Sequence, residues 1–334
     1  MSIVNLLPVM AMMLLPLAST ATVWRVNNQG FSAHFIGTNA LQDAINSIDV
    51  FPYDTLHIEA SPINYPSATL NQPLHLIGPG YLLDENPGLQ HAQLSAKISG
   101  LTIESTAIGS SIQGLQFTNA GVDIEASNIV FERNYVSGGD LHFIGNGVTW
   151  NNIVISGNYL SGIISNTLFS ATNVIIHNNI IVDATLYDLV SGEFFNNTLI
   201  ETGGAESLDV HNFNIYNNIV RTGAVVTNNN NIHHNLCGTP NCLPAGNNNQ
   251  EDVPIATVLN LTSTTEGDFQ LLDYPGNPAY GSGESGADLG AFAGPTPYVL
   301  SGIPGIPTIY ELHVPGVAFQ GDPLNVTLST RSND

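Results

Sequence analysis

Six times between residues 130 and 237 the chain writes a short apolar run that closes on asparagine: Asn134 in VFERNYV, Asn158 in VISGNYL, Asn179 in IIHNNII, Asn197 in EFFNNTL, Asn218 in NIYNNIV and Asn235 in NIHHNLC. Successive asparagines lie 24, 21, 18, 21 and 17 residues apart. Periods near twenty, built from β-branched and aromatic residues with turn residues between, define a solenoid whose repeats each supply a few short strands. The third residue before each asparagine is Phe131, Ile155, Ile176, Phe194, Ile215 or Ile232, apolar every time, and so faces a core. The second is Glu132, Ser156, His177, Phe195, Tyr216 or His233, which alternation by two turns outward. Asparagine tolerates the left-handed backbone better than any residue but glycine, so each repeated asparagine is expected to form a corner. Stacked corners would then bond along the axis as a ladder. Earlier units, SGLTI at Ser99 and IQGLQF at Ile112, carry glycine near the corner. A leucine scaffold is lacking, and the expected fold is all-β, a single right-handed parallel β-helix.

Charge narrows the partners. Twenty-seven acidic residues face five basic ones in 334, a net charge of −22, so no basic cluster exists to neutralise phosphates and nucleic acid is excluded as a partner. Polyanionic substrates are disfavoured on the same ground, whereas neutral glycans and divalent cations suit the surface. The opening MSIVNLLPVMAMMLLPLASTA, an apolar run followed by small residues, reads as a signal peptide over residues 1–21 and places the chain outside the cell or at its surface. No Lys or Arg precedes that run, and an uncleaved anchor is the alternative reading. No later segment is apolar enough to span a membrane, and a monomer is expected. Cys237 and Cys242, in CGTPNC, are expected to close a small loop as a disulfide; a metal site with His233 and His234 is the competing reading.

Leu41 to Gly80, LQDAINSIDVFPYDTLHIEASPINYPSATLNQPLHLIGPG, resembles the N-terminal cap of the pectate-lyase-like right-handed β-helix superfamily, and more closely that of secreted bacterial β-helix repeat proteins of unassigned activity. The resemblance implies an amphipathic helix (Leu41, Ala44, Ile45, Ile48) over the open end, with Tyr53 standing where a glycine is usual before Asp54. GNPAYGSGESGADLGAFAG, Gly276 to Gly294, is similar to the closing segment of such solenoids. The helix is accordingly assigned to residues 22–294. A Pro-rich extension, 295–334, carries two alternating runs, TIYELHV and LNVTLST, expected to pair as a two-stranded cap against the solenoid's end.

The pectin-cleaving members of that superfamily use Asn-x-Asp, Asp-Asp, Gly-His-Gly and Arg-x-Lys motifs, and none occurs here in a usable position. The lyases need a basic residue near a calcium-bound uronate; Arg133 and Arg221 stand about four coils apart with no basic neighbour. What remains is the carboxylate pair required to cleave a neutral glycoside. A second outward column, drawn from VDIEA, DLHFI, YDLV and LDVHN, offers Asp188 and Asp209 as that pair, with His142 and His211 beside them. The same carboxylates could make a shallow calcium site, or simply a solvated face. His177, Phe195, Tyr216 and His233 are expected to form an aromatic strip on which sugar rings stack, or else to stack on one another. Three functions follow: a non-catalytic glycan-binding or adhesive solenoid, a glycoside hydrolase or lyase acting on a polysaccharide, and an ice- or surface-binding solenoid, for which the outward column is too mixed.

Overall fold

A computed structural model describes residues 21–30, 32–144, 148–160, 164–166, 171–182, 186–187, 189–200, 207–225, 228–261, 265–316 and 323–333. The chain winds into a parallel β-solenoid with three faces. The long face is an eleven-stranded parallel sheet, including Val23–Asn27, Thr55–Ile58, His75–Ile77, Ser111–Gln113, Val130–Glu132, Trp150–Ser156, Ala171–His177, Gly192–Phe195, Phe213–Tyr216 and Asn231–His233. After a corner comes a short face, Tyr135–Val136, Tyr159–Leu160, Ile180–Val182, Thr198–Ile200, Ile219–Val220 and Leu236–Cys237. The third face contains Ala68–Leu70, Lys97–Ile103, Leu141–Phe143, Ile164–Asn166, Leu186–Tyr187, Ser207–Asp209 and Ala224–Val225; the long strand Gln116–Ile124 joins it to the short face.

Register follows the repeat. Phe131, Ile155, Ile176, Phe194, Ile215 and Ile232 pair in sequence across the long face and all are buried. Each such side chain removed from water contributes roughly 1.5–3 kcal/mol. The six ladder asparagines are also buried, and each passes hydrogen bonds to the next: the backbone N–H and side-chain amide of Asn158 both donate to Asn179 Oδ1, at 2.9 and 3.0 Å. Each amide donates as well to a core-strand carbonyl of the preceding coil, as Asn179 does to Ile155 at 2.9 Å. The ladder runs one rung past the last repeat, to Asn249, which accepts from the backbone N–H of Asn235.

The left-handed corners are displaced by one residue from the ladder. Positive φ belongs to Gly114, Arg133, Gly157, Asn178, Asn196, Asn217 and His234, between 52° and 69°, so the residue before each ladder asparagine makes the turn. The turn swings the following side chain inward. A second column of left-handed asparagines, Asn128, Asn152, Asn173, Asn212 and Asn229, marks the other end of the long face; within it Asn173 donates to Asn152 and Asn152 to Asn128, on the exposed side.

The N-terminal helix is Ala40–Ile45, burying Leu41, Ala44 and Ile45; it stops short of Ile48, which is 89% exposed. Tyr53 adopts a φ of 69° ahead of buried Asp54, whose carboxylate accepts from the Thr22 and Phe51 N–H groups and the Trp24 indole. Burial raises the pKa of Asp54, but these three donors outweigh it and hold the carboxyl below its usual range.

Coiling ends near Gln250, bridged to Leu236, and the chain then turns back. Residues 253–261 and 265–303 cover the short face and build a second apolar cluster outside the solenoid, with Tyr81, Tyr159, Ile180, Ile219 and Leu236 beneath and Val258, Phe269, Leu289 and Tyr298 above. This returning strap is tied to the corners: Asn178 donates to Ala291 O and Ala293 O, Asn217 accepts from Glu284 N–H, and Arg133 reaches Ile303 O. The expected hairpin forms, Thr308–His313 antiparallel to Thr327–Arg331. It lies beside the first coils, where Ile309 O accepts from His91 N–H and Arg331 donates to Leu89 O, rather than over the solenoid's far end. Cys237 and Cys242 are disulfide-bonded.

Candidate ligand-binding groove

The outward column of the long face places Gln113, Glu132, Ser156, His177, Phe195, Tyr216 and His233 on successive coils. His177, Phe195, Tyr216 and His233 form one continuous stack, with centroids 4.9, 5.0 and 5.3 Å apart and planes within 10° of parallel. Rings lying side by side in one plane cannot approach so closely, so these overlap face to face and turn their edges to solvent. A flat platform for sugar rings is therefore not what the four residues make; they occupy each other's faces. One face stays free. His177 is the first ring of the stack, and the coil before it carries only Ser156.

That missing ring leaves a cavity of about 410 Å3, lined by Glu132, Arg133, Ser156, Gly157, His177 and, from the strap, Pro295 to Pro297 and Val299. A second hollow, also about 410 Å3, lies at the other end of the stack between His234, Asn248 to Gln250 and strap residues Gly281 to Gly283. The strap thus walls a hollow at each end of the ring stack, and these two hollows mark the groove along the outward column.

Polar geometry in the groove is well defined. Both amide hydrogens of Asn178 are used on strap carbonyls, so its oxygen accepts from His177 Nδ1 at 2.9 Å and leaves His177 Nε2 as an acceptor. At the far end Asn248 donates to His234 Nε2, His234 Nδ1 faces His233 Nδ1 at 2.9 Å, and His233 Nε2 reaches Asn214 Oδ1 at 3.0 Å. This relay requires both imidazoles neutral, and desolvation holds His233 below its ordinary pKa. Tyr216 donates to Glu193, and burial, with Glu193 beside it, pushes its hydroxyl up to about 12. Arg133 Nη1 donates to Ile303 O of the strap and to Asn333 O near the end of the chain, so it ties both to the solenoid.

The third-face residues divide into two groups. His142 lies between Asp123, 3.4 Å from Nδ1, and Asp140, 3.1 Å from Nε2. The register runs Asp123, His142, Ser165, Tyr187, Asp209, which sets Asp209 three coils beyond His142, about 14 Å at the spacing of adjacent strands. His211 is 3.9 Å from Asp209, whose carboxylate also accepts from Asn228 at 2.5 Å. Asp188 lies outside the described residues, and the position paired with Asp209 is Tyr187. Among the described residues no three His, Cys, Asp or Glu side chains are grouped to hold a metal ion, calcium included. No described helix is long and apolar enough to cross a membrane.

These features define a class: a parallel β-solenoid with a strapped flank and an axial groove. No family model, curated protein or solved structure matches the chain.

Proposed function

We propose that this chain is a secreted or cell-surface glycan-binding solenoid without catalytic activity, acting as a monomer through the groove on its long face. The observation that carries the reading is the strap, which turns an otherwise flat sheet face into a channel with a hollow at each end of a ring stack. An extended saccharide matches such a channel: its hydroxyls suit Ser, Asn, Glu and His side chains, and the acidic surface repels uronates. A polysaccharide or cell-surface glycan is thus the expected partner. A second reading, a glycoside hydrolase, draws on His142 between Asp123 and Asp140, where a proton could be relayed between carboxylates. Incubating the purified chain with a glycan panel, with mass analysis of products and with and without EDTA, tests both. Retention of an intact glycan is expected, cleaved product would transfer the assignment to the third face, and no retention at all would refute glycan binding.

A further inference from the structure

The ring column begins at His177, and beyond its free face, where the preceding coils carry Ser156 and Glu132, lies a cavity. Three features define what the gap can take. The first is shape: the free face of His177 bounds one end, the pyrrolidines of Pro295 and Pro297 stand along a side, and the volume falls within the roughly 300–1,000 Å3 of small-ligand sites. The second is donor and acceptor balance. Glu132 makes no hydrogen bond or ion pair to a described residue, Ser156 Oγ likewise has none, and His177 Nε2 is left as an acceptor by the Asn178 contact. The third is charge placement: Glu132 and Arg133 both line the cavity, but Arg133 Nη1 is held by Ile303 O and Asn333 O and no ion pair joins it to Glu132, so the carboxylate is left to meet a ligand directly. A site of acceptors around one carboxylate calls for a ligand rich in donors and preferably cationic.

Resting on the glycan-binding reading and going beyond it, we infer that this slot is a subsite for one pyranose bearing a free amino group, which enters as the next ring of the stack. Its C–H face lies on His177, its ammonium meets Glu132, and ring hydroxyls donate to His177 Nε2 and exchange hydrogen bonds with Ser156. A uronic acid would bring a second carboxylate to Glu132 and is refused.

The test is calorimetric titration of the full chain with β-1,4-linked glucosamine and glucose tetramers and with the α-1,4-linked galacturonate tetramer. The glucosamine oligomer is expected to bind best and the galacturonate not at all. Glu132→Gln should weaken the glucosamine oligomer by roughly tenfold and change the glucose oligomer by less than about twofold, since only the charge-assisted contact is lost. Ser156→Phe, which completes the stack, should abolish binding of both while leaving the thermal transition in place. If Ser156→Phe fails to fold, the Glu132→Gln comparison decides alone. Undiminished oligosaccharide binding by Ser156→Phe, or a glucosamine affinity indifferent to Glu132→Gln, would overturn the slot and leave glycan binding elsewhere in the groove standing. Absence of binding by any glycan would remove both.

Discussion

Asn178 and Asn179 are neighbours in the chain yet belong to different hydrogen-bond systems: Asn178, left-handed at φ 54°, holds the strap at Ala291 and Ala293, while Asn179 turns inward and joins Asn158 to Asn197 along the axis. One residue clamps the outside of the solenoid and the next threads its interior. Their substitutions should therefore fail in different ways. Asn179→Asp replaces an amide that donates to Ile155 O, His177 O and Asn197 Oδ1 with a buried charge facing three acceptors. A loss of at least about 3 kcal/mol is expected. His177→Ala, trimming a half-buried ring with one free face, should cost about 1 kcal/mol. Denaturant titration of the two variants checks the order, and equal losses would mean the ladder is not the axis of stability.

This doublet also shows how far the sequence could be read. Phe131, Ile155 and Ile176 fix an inward face by their apolar character, and the stacking of the asparagines follows from the repeat. In the NN pairs at 178, 196 and 217, however, both residues can adopt the left-handed conformation, so composition alone does not say which turns the corner. Only Arg133, Gly157 and His234, standing before single asparagines, mark the place. On the third face the position in register with Asp209 is Tyr187, a pairing the sequence does not fix because the segments between corner and third-face strand vary in length and a one-residue slip exchanges faces. The strap was illegible for another reason: its contacts join residues such as Glu284 and Asn217, far apart in sequence and outside any period.

Glu266 should make stability pH-dependent. It belongs to the strap and is buried there, where the Tyr298 hydroxyl, Ser301 N–H and Asn86 amide donate to it, and burial still lifts its carboxyl to about 7 from an ordinary 4.5. Because the folded value is the higher one, the folded chain binds more protons between those limits. Stability from this group is full below pH 4.5, falls as pH rises towards 7, and is level above, by an amount on the order of 3 kcal/mol. Urea melts at pH 5 and pH 8 should differ for the wild type, and the difference should shrink in Glu266→Gln. A variant with an unchanged pH profile would assign the dependence to other groups.

The imidazole relay specifies tautomers. His177 should carry its proton on Nδ1, His234 on Nδ1 and His233 on Nε2, each set by its amide or imidazole partner. Long-range proton–nitrogen correlation spectra at neutral pH read this directly. A His233 protonated on Nδ1 would contradict the relay, since two N–H groups would then face each other at 2.9 Å.

Iodoacetamide added to the native chain without reductant should add no mass at Cys237 or Cys242, and two adducts should form after reduction under denaturing conditions. Labelling of the unreduced protein would show the loop to be open.

The strap and the hairpin that follows it tie the end of the chain back to early coils. Coils alone would form a line, each leaning only on its neighbours, able to grow from either end and to fray at both. Here Arg133 reaches Asn333, 200 residues away, and Arg331 reaches Leu89, 242 residues away. The outer walls of the two hollows are made from residues 281–283 and 295–299, which follow every coil in order of synthesis. A chain cut short before them would retain its floor of rings and its asparagine ladder with no channel. The two hollows are thus completed late, after every coil, as the chain is made.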